Sequence, residues 1–414
     1  MPTIKKIPHV IRTILRTDLG KAITIAIVWQ LVLTIGGVLV QTLAHQLDLE
    51  PFAFLYYEPT SILSHTSNLD GGRYLEIILW NGYTNPTSQA PVFYPLFPLL
   101  VQTLHFLSFG LIPYLWAGLI INTAALALII FLIIKICHIL MPKLTKLPRI
   151  TIILFLAFPA AFFTHMFYTE AVFIALGLLS YYFALKRAWW KVGLTLAALT
   201  AIRLPALLFI GLCGLEYFRA HRYKIKAALN KQIFWFLLAP LGFLGYSLFL
   251  QLARGDPLAM FNAYNYPNTA WDYQKFNPNF IATILTTITD AIRLKGLYAG
   301  TLIEQIGFMA VGYILPLLSI LVVFVTSLFG LIKIKKWATP LSIFGLASII
   351  FFTLNSNMHG THRYVLTTIS IFFILGYIYS KYHRSRPAFV ICITLSILTQ
   401  IMLFTGFCLY YFVG

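Results

Sequence analysis

The stretch AITIAIVWQLVLTIGGVLVQTLA, residues 22–44, runs for 23 residues without a charged side chain or a proline. A helix needs about 20 mostly apolar residues to cross the hydrocarbon layer of a bilayer. The 21 residues before it are basic, and no small-residue cleavage signature precedes Gln41. It is also longer than a signal-peptide core, so it reads as a retained first membrane helix. Stretches 111–134, 232–253, 307–332 and 387–411 have the same character. One such span could be a signal peptide or an anchor; this many cannot. With 59% apolar and 10% charged residues, the chain of 414 has more hydrophobic surface than one soluble core could hide. The fold class it predicts is all-α, a single polytopic membrane domain over residues 1–414.

A formal charge of +18 would point to nucleic acid in a soluble protein. Here the Lys and Arg residues fall in short clusters between apolar runs, the pattern of cytoplasmic loops, so membrane lipids and not nucleic acid are the expected surroundings. If residues 1–21 are cytoplasmic, assigning 135–149, 186–191, 216–231, 333–336 and 381–386 to the same side collects 23 of the 30 basic residues there. Of the 12 acids only Asp18 and Glu216 join them, and the other ten fall at or near the opposite face. This assignment decides two ambiguous segments. Residues 91–109, with Pro91, Pro95 and Pro98 at the start, are expected to form an external re-entrant or interfacial element. Residues 192–217 are expected to form a helical hairpin that returns to the cytoplasm with Arg203 at its tip. The predicted architecture has about eleven transmembrane or re-entrant helices, an inside amino terminus, and two long external loops, 45–110 and 254–305, on the working face. Cys137, Cys213, Cys392 and Cys408 lie in or beside apolar runs without metal or redox spacing and read as small packing residues.

Five constellations could carry chemistry. LDGGRYLEIILWNGY, 69–83, places Asp70 before two glycines, and Tyr74, Ile77 and Ile78 follow at helical spacing. Asp70 is then either a cap for a short amphipathic helix or a carboxylate held at the membrane surface. FPAAFFTHMFYTEA, 158–171, carries His165 and Glu170, either on a water-exposed turn or in a functional setting beside hydrocarbon. LTAIRLP, 199–205, sets Arg203 among apolar residues, where a guanidinium wants a phosphate, a carboxylate from another helix or a wet cavity. RGDPLAMFNAYNYPNTAW, 254–271, is rich in aromatic and amide groups suited to sugars or to an interfacial belt. HGTHRYVL, 359–366, offers His359, His362 and Arg363 to an anionic headgroup. The two histidines lack a nearby carboxylate or cysteine, so no metal is expected. No Walker loop, dinucleotide fingerprint or Asp-x-Asp pair is present, which argues against soluble nucleotide donors.

These motifs, in order through 68–275 and again near 355–366, resemble the PIG-V type mannosyltransferases of GPI-anchor assembly and their prokaryotic relatives, in the GT-C superfamily of glycosyltransferases. Where that family has Trp-Asp, Gly-Tyr and Phe-Phe-Pro-x-x-Pro, this chain reads Leu69-Asp70, Gly82-Tyr83 and Phe93, Tyr94, Pro95, Pro98. Tyr168, Thr169 and Glu170 match its Tyr-Thr-Glu. Arg203 with Pro205 resembles its Arg-Pro, and Gly255, Asp256, Pro257 and Trp271 match its Gly-Asp-Pro loop ending in Trp. Leu69 and the inserted Leu204 are departures.

The resemblance implies inverting transfer of a sugar, mannose by preference, from a polyprenyl-phosphate donor to a lipid-linked or glycan acceptor. Asp70 would be the general base. Arg203 and Arg363, helped by His359 and His362, would hold the donor phosphate. Tyr83, His165, Glu170, Asp256 and Trp271 would contact sugar or acceptor, and no cofactor is implied. A transporter or flippase of lipid-linked sugars is the alternative. No Asn-x-Ser/Thr sequon with a permitted middle residue and no retention signal is found, which favours a prokaryotic plasma membrane over the endoplasmic reticulum.

Overall fold

The computed structural model describes residues 17–47, 61–80, 82–85, 88–265, 275–295 and 302–413. Among them the chain is helical without strands, and its one isolated bridge pairs Phe276 with Asn355. Five helices are long and apolar enough to cross a membrane: Asp18–Gln46, Tyr114–Leu140, Lys231–Arg254, Gln305–Ile334 and His383–Cys408. They contain the five long apolar runs of the sequence, which have no other way to satisfy backbone polar groups in hydrocarbon. On Asp18–Gln46, Leu31, Val32, Ile35 and Leu39 are more than half exposed, as are Ile391, Leu395 and Ile401 on the last helix. Such faces suit acyl chains and would be costly in water. Tyr114–Leu140 is the most enclosed of the five, with 56% of its central window buried.

We number the helices α1 (Asp18–Gln46), α2 (Asp70–Trp80), α3 (Leu96–Leu107), α4 (Tyr114–Leu140), α5 (Leu147–Leu156), α6 (Glu170–Leu185), α7 (Trp189–Thr200), α8 (Ala206–Ala220), α9 (Leu241–Arg254), α10 (Phe280–Ile292), α11 (Leu315–Phe329), α12 (Ala338–Thr353), α13 (Thr361–Val365), α14 (Ser370–Lys381) and α15 (Arg386–Cys408). The expected amphipathic helix at Asp70 is α2, which buries Tyr74, Leu75, Ile77 and Ile78. The proline-led segment forms α3, beginning just after Pro95, and Leu96 N–H donates to Ala201 O at 3.1 Å. The expected hairpin is α7 and α8, joined by residues 201–205 with Arg203 in the turn. Glycine lets α9 lie hard against α7: a Cβ on Gly242 would meet Ala197 O at 2.0 Å.

The bundle has two distinct ends. At one, Lys135 Nζ near the end of α4 pairs with Asp18 Oδ2 at the start of α1, 2.9 Å apart. Thr151 lies beside Cys137, and a Cβ on Gly376 would meet Thr151 Oγ1 at 2.5 Å. The turns 141–146 and 382–385 therefore sit at this same end. So does 333–336, because a Cβ on Gly330 would meet Ser342 and Ile374. The other end is fixed by Gly37, whose added Cβ would strike the His65 ring at 2.4 Å. From Asp18 to Gly37 a helix rises about 28 Å at 1.5 Å per residue, close to one hydrocarbon thickness. The segment just after His65 leads into Asp70.

Candidate functional site

Local chain geometry sets the position of Asp70. A 3-10 turn, Ser64–Ser67, leads through Asn68 into α2, and Leu69 adopts φ 53°, a conformation uncommon for a side-chain-bearing residue. Tyr168 holds it there: its hydroxyl donates to Asn68 O at 2.8 Å and accepts from Asp70 N–H at 3.1 Å. Asn68 Nδ2 in turn donates to Phe407 O at 2.6 Å, tying the turn to α15. Close approach to the 163–170 segment requires Gly71, where a Cβ would meet Thr66 O at 3.1 Å and the Tyr168 ring at 3.3 Å. Asp70 does not act as a cap. Among the described residues its carboxylate accepts one hydrogen bond, from Arg363 Nη1 at 2.7 Å, and none from the amides of α2. The side chain remains 26% exposed.

Arg363 connects Asp70 to a buried chain of charges. Its Nε donates to Glu170 Oε1 at 2.6 Å, and Arg203 Nη1 donates to the same oxygen at 2.6 Å. The order is thus Asp70, Arg363, Glu170, Arg203, with signs alternating. Glu170 opens α6, where unpaired helix amides favour negative charge. Its side chain is fully buried, Arg363 is 3% exposed and Arg203 16%. Aromatic faces cover the cations: Arg363 lies 4.5 Å from the Tyr168 ring centre and 4.8 Å from that of Phe163, and Arg203 lies 5.4 Å from that of Tyr364. Glu170 Oε2 is buried without a hydrogen-bond partner among the described residues. Desolvating an ion costs several kcal/mol even after relaxation, so these charges are held for more than packing.

The carboxylate that Arg203 requires from another helix is therefore Glu170. The water-exposed turn considered for His165 and Glu170 is absent, since both side chains are buried. Glu170, expected among the sugar contacts, orients two guanidiniums and presents no oxygen to the surface. His165 also lies apart from Asp70. Its Nδ1 hydrogen bonds with Gln30 Oε1, whose amide is oriented by Nε2 donating to Thr164 O at 3.2 Å.

Other expected contacts are placed elsewhere. Tyr83 is buried, donating to Phe93 O at 2.8 Å and packing on Tyr246 and Phe249. Asp256 organises its own loop, accepting from Leu258 N–H and Asn262 Nδ2 at 2.9 Å each. His362 Nε2 donates to Val413 O at 2.8 Å, and burial pushes the imidazole down to about 4. It is neutral at pH 7 and adds no positive charge beside Arg363. His359 packs edge-on against Phe308 and Tyr313, and burial lowers it as well. Trp271 lies outside the described residues. Among the described residues no group of three or more His, Cys, Asp or Glu side chains is arranged to hold a metal.

Two tyrosines join the site, Tyr94 from the proline-led motif and Tyr264, which had not been singled out. Tyr264, from the second long loop, has its phenol within electrostatic reach of Asp70, Arg203 and Tyr94, and burial raises its proton affinity. Tyr94 is buried, with a hydroxyl that lacks a hydrogen-bond partner among the described residues. The loop richness in Asn and Tyr marked the segment of Tyr264 but could not separate it from its neighbours. Chemically, the site offers one accessible carboxylate, a guanidinium behind it and phenols alongside. Comparison of the chain with family models, curated proteins and solved structures finds no match.

Proposed function

We propose that the chain is a membrane glycosyltransferase of GT-C type, with about eleven membrane-embedded helices and its basic end in the cytoplasm. The observation that carries this reading is the accessible Asp70 carboxylate, oriented by an otherwise buried ion chain at the end away from the basic clusters. The donor is a polyprenyl-phosphate sugar, mannose by resemblance, and the acceptor is a lipid-linked or glycan hydroxyl. Asp70 takes the proton of that hydroxyl as its oxygen bonds to the anomeric carbon. The bond from that carbon to the phosphate oxygen breaks on the opposite face, and the lipid phosphate leaves with the electron pair. Guanidinium N–H groups stabilise its charge without reorganising. Arg203 supports this role, because its only hydrogen bond among the described residues is to Glu170.

Purified chain in liposomes with a labelled polyprenyl-phosphate mannose and a mixed lipid acceptor tests the proposal. Transfer by the wild type, lost in a folded Asp70→Asn variant, supports it. Product formation unchanged in that variant sinks it. Movement of the labelled lipid between leaflets without transfer would instead select a flippase, which buried intramembrane charges also suit.

A further inference from the structure

The four charged side chains of the site cancel: Asp70 and Glu170 against Arg363 and Arg203. A donor carrying a phosphate therefore meets no excess positive charge among them, and Coulomb attraction alone does not seat it. Two groups do stand open. Arg203 is 16% exposed, with N–H groups beyond its Glu170 contact, and Asp70 is 26% exposed, with Oδ1 unengaged among the described residues. Glu170 cannot yield, because it is fully buried and holds both guanidiniums. Asp70 is held by one bond at the accessible edge of the cluster.

We propose that the Arg363–Asp70 pair is an internal placeholder: the phosphate of a lipid-linked donor takes the place of the Asp70 carboxylate on Arg363 Nη1, and the whole carboxylate is then released toward an acceptor. This deepens the glycosyltransferase reading and rests on it. The exchange replaces one charge-assisted hydrogen bond by another, so Arg363 and Glu170 keep their geometry. It also fixes an order. With donor absent, Arg363 holds Asp70 Oδ2 and only Oδ1 stands open among the described residues. With donor bound, Oδ2 is released beside the anomeric carbon.

The consequence runs against the usual effect of removing an active-site residue. Asp70→Asn removes the competitor and its negative charge, so the folded variant should bind citronellyl phosphate, a soluble isoprenyl phosphate, about tenfold more tightly than the wild type. In an Arg363→Gln background, checked for folding by thermal melting, the same change should gain less than about twofold. Inorganic phosphate should bind every variant far more weakly; if it matches citronellyl phosphate, a lipid headgroup is not the ligand and the proposal falls. Should Arg363→Gln fail to fold, a structure of the wild type with citronellyl phosphate decides the point: the phosphate lies on Arg363 with Asp70 turned away, or the Arg363–Asp70 pair is intact and the exchange is wrong. Equal or weaker binding by Asp70→Asn also overturns it. If the wild type transfers sugar while Asp70→Asn gains nothing, only the exchange is lost. If no form binds the isoprenyl phosphate, the donor assignment goes with it.

Discussion

The two ends of the bundle both carry ion pairs, built in opposite ways. At the basic end, Lys135 meets Asp18 with both side chains about a third exposed. This pair is solvated, and pairs of that kind contribute about 0–1 kcal/mol. At the other end, Asp70, Glu170, Arg203 and Arg363 come from four separate segments and are largely enclosed. Packed apolar residues of the same volume would often be as stabilising as a buried ion pair, or more so. The difference teaches that the second set is not there for stability. A chain that places two guanidiniums around one buried carboxylate keeps a charged geometry available at the surface, in Asp70.

That comparison can be broken or sharpened in four ways. Asp70→Asn should lower sugar transfer about 10²–10⁴-fold, the usual share of a general base, while the thermal melting of the purified protein stays close to wild type. A fall in melting as large as the loss of rate would mean that Asp70 is structural. Glu170→Gln should destabilise by about 3–5 kcal/mol, since it leaves two guanidiniums facing each other in a buried space. Thermal unfolding in lipid nanodiscs measures this, and wild-type stability in that variant would show that the buried cluster is not electrostatically coupled.

The third test uses pH. Burial holds His362 and His65 at about 4, below the unfolded value near 6.5. Folding therefore favours their neutral forms. The stability they permit is fully present above about pH 6.5 and is lost as pH falls toward 4. Melting should drop between pH 7 and pH 5, and less steeply in His362→Gln, which keeps a donor for Val413 O without taking a proton. A parallel pH dependence in that variant would assign the acid sensitivity to other groups. The smallest effect belongs to the basic end. Lys135→Ala should cost no more than about 1 kcal/mol, and a loss comparable to that of Glu170→Gln would erase the contrast between the ends.

Much of this was legible in the sequence. Five apolar runs became five long helices because backbone groups in hydrocarbon leave few alternatives. The spacing of the basic clusters pointed to a turn at Arg203, and Pro91, Pro95 and Pro98 marked the start of α3. Asp70 stood out through its flanking glycines and the helix that follows. What residue order could not show was partnership. Arg363 is 293 positions from Asp70 and 193 from Glu170, and nothing local says that these three meet. For the same reason Glu170 read as a sugar contact and His362 as a helper at the donor phosphate, when one is enclosed by guanidiniums and the other is tethered to Val413.

Sequence alone determined that the chain is all-helical with helices long and apolar enough to cross a membrane, because hydrophobic length is a local property summed along the chain. Tertiary structure decided which charges neutralise one another and which one is left within reach of a ligand. That outcome depends on distances of a few ångströms between segments hundreds of residues apart, and on burial, which belongs to the folded neighbourhood and not to the residue.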